Sequence, residues 1–220
     1  MSISDEEIKK KVVEHLYWDS RVDSSDITVA VDNGKVTLKG TVPVYASKGA
    51  ASSTTWGVEG VISVENLISV EFSPSFEIPS DGEIKSNIES SLLVNSVVDS
   101  SNITITVNEG IAILEGSVGS YWEKIKAKDI TAGITGVVNI VDKLSVVPTE
   151  RVSDQAIAED ITAAVTRNFR VSIKNVNVKV ENGVVTLSGG VPDFDAYNSA
   201  LNIARSTKGV IDIVDNLVIK

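Results

Sequence analysis

Two stretches of the chain bring together residue types that could do chemistry. In "DNGKVTLKG" (32–40) a lysine follows Gly34 directly and a second glycine stands six residues after the first, the ingredients of a phosphate-cradling loop. The order G-x-x-x-x-G-K-[ST] is absent, however, and alternating residues follow the lysine where a phosphate loop opens a helix. The stretch therefore reads as a tight hairpin turn. In "DFDAYN" (193–198), Asp193, Asp195 and Asn198 offer oxygen ligands near a helix start. Carboxylates there are ordinary partners of the helix dipole, and a small-cation site for potassium or calcium stands as the alternative. A nucleophilic triad needs a base, and the single histidine, His15, lies on a predicted helix surface; Ser91 and Ala164 occupy its place in the repeats described below. With no cysteine, thiol chemistry and zinc–thiolate sites are out of reach. No catalytic residue, cofactor site or metal site is assigned, and the chain reads as a non-enzyme.

Charge narrows the partners. Acidic residues outnumber basic ones 30 to 20 and no block of Lys or Arg occurs, so nucleic acid lacks its electrostatic attraction. No stretch approaches the ~20 apolar residues of a membrane span, and "MSISDEEIKKKVVEHL" has acidic residues ahead of its lysines and no apolar signal core. The chain reads as cytoplasmic; a periplasmic form already relieved of an export segment would read identically.

The elements that position these residues come from an internal repeat. "VDNGKVTLKGTV" (31–42) aligns with "VNEGIAILEGSV" (107–118) and "VENGVVTLSGGV" (180–191), at offsets of 76 and then 73 residues. The same offsets superimpose "SDEEI" (4–8), "SDGEI" (80–84) and "SDQAI" (153–157), and the Gly-Val pairs at 60–61, 136–137 and 209–210. Three modules follow, 1–73, 74–149 and 150–220, joined by the Pro- and Ser-containing segments "FSPSFEIPS" and "VVPTERVS".

Each module reads as helix, strand, strand, helix, strand. Ser4, Ser80 and Ser153 cap the first helix, with Glu7 and Glu83 completing capping boxes in two of them. Ile8, Val12, Leu16 and their counterparts Ile84, Ile88, Leu92 and Ile157, Ile161, Val165 make one apolar stripe. Alternating strands flank Gly34, Gly110 and Gly183, the structural turns of three hairpins. The return strands end at Gly40, Gly116 and Gly189, where a bulge or a close approach is expected. A second helix over roughly 44–56, 120–132 and 193–205 carries Ala51, Ala127 or Ala200 where it crosses the sheet, and the last strand follows the Gly-Val pair. The first module departs from the others here, since Gly60 to Leu67 is one residue shorter than Gly136 to Leu144. The fold class is α+β: three tandem αββαβ modules, each a three-stranded mixed sheet packed on one face by two helices.

This order of elements, the Asn-Gly hairpin with "VTLKG" or "VTLSG" on its return strand and the closing "GV..V.N.L" pattern resemble the BON domain, named for bacterial osmotic-shock and nodulation proteins. The resemblance spans nearly the whole chain as three tandem copies. It implies a bacterial, transport-associated and mostly envelope-linked module, induced by osmotic or other stress, that contacts phospholipid surfaces or other proteins. A relative joined to a LysM domain binds potassium.

The copies differ at their surfaces. Helical phase turns Trp122 and Ile125 outward with Lys124, Lys126 and Lys128 around them, where the other modules have Ala46 and Gly49, or Asp195 and Asn198. An aromatic among lysines suits an anionic headgroup layer, and the plainer reading is that a neighbouring repeat covers Trp122 and Ile125. Tyr17 and Trp18, ending the first helix, read as a capping contact or a lesser surface, and Tyr45, Tyr121 and Phe194 as core. The modules hold seven basic residues against eleven acidic, five against ten, and eight against nine, a field that local lysines must overcome within a Debye length of ~8 Å. The expectation is a stress-linked binding or scaffolding protein acting on a protein or envelope partner, with anionic phospholipid and a small cation as alternative ligands.

Overall fold

The computed structural model describes residues 3–167 and 176–219. In the first module, α1 (Asp5–Trp18) starts at Ser4, whose hydroxyl accepts from the Glu7 amide at 3.3 Å while the Glu7 carboxylate accepts from the Ser4 amide at 3.2 Å. The reciprocal pair recurs at Ser80 and Glu83, whereas Ser153 makes only the single bond to the Ala156 amide. These are the caps expected from spacing alone. After α1 come β1 (Ile27–Asp32), β2 (Lys35–Val42), α2 (Tyr45–Trp56) and β3 (Ser63–Val70). The second module repeats them as α3 (Asp81–Leu93), β4 (Ile103–Asn108), β5 (Ile111–Val118), α4 (Tyr121–Ala132) and β6 (Asn139–Val146). The third does so as α5 (Asp154–Arg167), β7 (Val176–Glu181), β8 (Val184–Val191), α6 (Phe194–Ser206) and β9 (Asp212–Ile219).

In each sheet the middle strand is the hairpin's return strand, with order β1-β2-β3, β4-β5-β6 and β7-β8-β9. β1 runs antiparallel and β3 parallel to β2, as the two-residue hairpin and the helical crossover require. One face of the first sheet gives Val29, Val36, Leu38 and Ile68 to a core closed by Ile8, Val12 and Leu16 of α1 and Ala51 of α2. Each large side chain buried there contributes roughly 1.5–3 kcal/mol. Thr28, Ala30, Lys39 and Glu65 face solvent on the other side. The third module builds the same core from Ile157, Ile161, Val165, Val185, Leu187 and Ala200. Packing divides the chain into two compact units: one, up to Ser90 with 105–113 and 129–141, holds the whole first module, and the other, 91–104 with 114–128 and 142 onward, holds the whole third.

The apparent shortening in the first module is not a deletion. Gly40 pairs with Ile68 across β2 and β3 just as Gly189 pairs with Leu217 across β8 and β9, so Ile68, not Leu67, is the counterpart of Leu144 and Leu217. Ile68 is 2% exposed and Leu67 51%. With a side-chain period of two, a one-residue slip would send the whole strand's apolar set to solvent, so register decides which of two adjacent apolar residues is core. Gly40 and Gly116 mark close approaches, with φ of +128° and +122°. A Cβ there would stand 1.8 Å from the Asp26 carbonyl oxygen and 2.0 Å from that of Asn102.

Candidate functional site

The suspected phosphate loop is a hairpin turn whose amides already hold an anion, and the anion is the protein's own. Asn33 and Gly34 have φ of +49° and +74°, the left-handed pair a two-residue turn between twisted strands demands. Their amides point out of the turn, and the two Asp5 carboxylate oxygens accept from them at 2.8 and 2.9 Å. Asp81 does the same for Glu109 and Gly110 at 2.9 Å each, and Asp154 for Asn182 and Gly183 at 2.8 Å each. The other side of the turn is also secured, since the Ile62, Val138 and Ile211 amides donate to the Gly34, Gly110 and Gly183 carbonyls at 2.9 Å. Lys35 takes no part in this arrangement. The aspartate after each capping serine is thus a clamp from the first helix to the hairpin, a role to which the spacing of the capping boxes gives no clue.

The C-terminal end of α1 is an exposed apolar tip. Tyr17 and Trp18 are 71% and 75% exposed and meet edge to face with ring centroids 5.2 Å apart. They are not the capping contact expected of them, because Asp19 already secures this end. Its carboxylate receives Arg21 at 2.9 and 2.8 Å and the Thr54 hydroxyl of α2, and the guanidinium and hydroxyl hold it well below the usual carboxylate range. Beside the tip an open cleft of about 720 Å³ runs past His15, Trp18, Thr54 and Val58. The second module repeats the apolar tip in different residues, with Leu93 and Val94 at 77% and 83% exposure, while Thr166 and Arg167 take those places in the third.

The aromatic–lysine patch of α4 is smaller than its helical phase suggests. Trp122 is 37% exposed, with the Lys126 ammonium 4.8 Å from its ring centroid, and Lys128 is exposed. Ile125 is half-buried. Lys124 leaves the patch: its ammonium donates to the Leu144 carbonyl at 2.7 Å and lies 3.7 Å from Asp142. The start of α4 carries a cap that sequence reading passed over, Ser120 accepting from the Glu123 amide at 3.1 Å and the Glu123 carboxylate accepting from the Gly119 amide at 3.1 Å. "SYWE" was its signal. Tyr45, Tyr121 and Phe194 are not core residues, each being only half-buried, and Tyr121 packs against the third module's core.

Compared with known families, residues 4–71, 80–148 and 153–220 match the family model described as BON domain. The chain belongs to the BON domain family. Osmotically-inducible protein Y of Escherichia coli (strain K12) is 29% identical to it over 139 residues, 60% of this chain and 69% of that protein. An uncharacterized protein in the gshII 5′ region of Anaplasma centrale is 30% identical over 125 residues, 54% of this chain and 83% of that protein. Among solved structures, the C-terminal domain of CdsD, a structural protein of the type III secretion system of Chlamydia trachomatis, covers 99% of this chain at 15% identity. Its TM-score of 0.27 is too low for the two to be compared site by site.

Several titratable groups of the BON modules are engaged in structural contacts. Asp193 caps α6, accepting from the Ala196 amide at 2.8 Å, which is the dipole role expected of it. Tyr197 donates to Asp215, and burial, with that carboxylate beside it, pushes its hydroxyl up to about 12, out of range for a base near neutrality. His15 is exposed on α1. Among the described residues no three His, Cys, Asp or Glu side chains gather as metal ligands, and no helix is long and apolar enough to cross a membrane.

Proposed function

We propose that this chain is a non-enzymatic, stress-linked binding protein that holds a protein partner through the apolar helix tips of its first two BON modules. The carrying observation is the exposure of two adjacent large apolar side chains at the same place in both modules, Tyr17 with Trp18 and Leu93 with Val94. Neither the caps nor the cores use them, so folding gives no reason for apolar residues there, and exposed apolar clusters mark contact sites. The link to stress rests on the osmotically inducible relative. A photo-cross-linking amino acid in place of Tyr17, in cells under osmotic stress, is expected to give a discrete protein adduct that one in place of Lys39 does not. Equal labelling from both positions would overturn the reading.

Anionic phospholipid is the second reading, supported by Trp122 with Lys126 over its ring and by exposed Lys128 farther along the same helix. The net charge of −10 works against it. Co-sedimentation with anionic but not neutral vesicles, weakened in Trp122→Ala, would favour lipid; no binding to either vesicle would end that reading. A small cation would appear as a potassium- or calcium-dependent rise in melting temperature, and the protein-partner reading expects a flat response to both.

A further inference from the structure

The first residue of the second helix is aromatic in all three modules, yet the three rings are used differently. Lys48 of the same helix stands over Tyr45, 5.4 Å from its centroid, and Phe194 stacks on Tyr197 within α6 at 5.8 Å. Tyr121 instead joins the apolar residues packed on the core of the third module. Its hydroxyl is pushed up by burial first and then by Asp212, at the start of β9, with Arg205 of α6 opposing and Asp142 of β6 adding. The connection between these modules is itself tied to the third: Glu150 receives the Lys208 ammonium at 2.6 Å, and Val152 packs on the same core as Tyr121. A rigid ring with two rotatable bonds buries much apolar area at small entropic cost, which suits an anchor between domains.

We infer that Tyr121 anchors a joint through which the packing of the third module depends on α4 of the second. The third module then draws stability from a side chain outside its own repeat, and what displaces α4 is felt at α6 and β9. Hydrogen exchange on the full-length chain tests this joint. Tyr121→Ala is expected to speed exchange of the protected amides of α6 and β9 roughly tenfold, while Tyr121→Phe, which keeps the ring, leaves them as in the wild type. Tyr45→Ala, the same change in the first module, leaves them unchanged as well. Wild-type protection of α6 and β9 in Tyr121→Ala would overturn the joint, as would an equal rise in Tyr45→Ala or in Tyr121→Phe.

Discussion

Asp5, Asp81 and Asp154 show how a single residue can hold a module together. Each accepts two backbone amides from a turn 28 and 29 residues away and also lies in the positive field of a helix N-terminus. Hydrogen bonds to charged groups are worth about 1.5–3 kcal/mol, and half-exposure reduces that. Asp154→Ala is therefore expected to destabilise the third module by about 2 kcal/mol in urea unfolding, while exposed Glu6→Ala in the first stays within about 0.5 kcal/mol. The capping boxes were legible in the sequence because both partners lie within three residues. The clamp was not, since its partners are backbone amides that no residue type at the turn announces. Register belongs to this scale too. Ile68→Ala is expected to cost about 2–5 kcal/mol by leaving a cavity, whereas Leu67→Ala costs less than about 0.5 kcal/mol. Equal losses in the two variants would contradict the register given for β3.

At the scale of elements, the first helix and the hairpin did most to make the fold legible. Their apolar positions recur at helical or strand spacing three times over, and the buried sets Ile8, Val12, Leu16 and Val36, Leu38 are those the periodicity predicts. The helix ends were less legible, because whether an apolar residue there is covered depends on what the following loop brings back. At α1 the loop returns a polar lock, Asp19 with Arg21, which Thr54 of α2 completes and which leaves Tyr17 and Trp18 outside. That lock carries a pH signature. Asp19 is held below the usual carboxylate range in the folded state, so its contribution is complete above about pH 4 and is lost as pH falls below that range. Wild type should exceed Asp19→Asn in stability at pH 6, and the gap should narrow by about 1 kcal/mol at pH 3. A gap that stays constant or widens on acidification would show that the lock is not ionic.

At the scale of the whole molecule, repetition both revealed the fold and directed the search for function. What the modules share (caps, clamps, turn glycines and crossing alanines) has a structural reason in every copy. What they do not share lies at the surface: an aromatic tip in the first, an aliphatic tip in the second, a polar end in the third. Helical phase turns Trp122 and Ile125 outward, yet Trp122 is only 37% exposed and Ile125 is half-buried, and phase within one helix cannot foresee that Lys124 folds back onto Leu144 and Asp142 or that Tyr121 serves the next module. Such contacts arise from chain that is distant in sequence. The proposed binding role requires that the apolar tips be dispensable for folding. The most direct measurement compares the wild type with Trp18→Ser/Val94→Ser, both carrying the cross-linker in place of Tyr17. The variant is expected to keep the wild-type circular dichroism and melting temperature within about 2 °C, as exposed sites allow, and to lose the protein adduct at least about tenfold. An undiminished adduct from the folded variant would contradict the binding role.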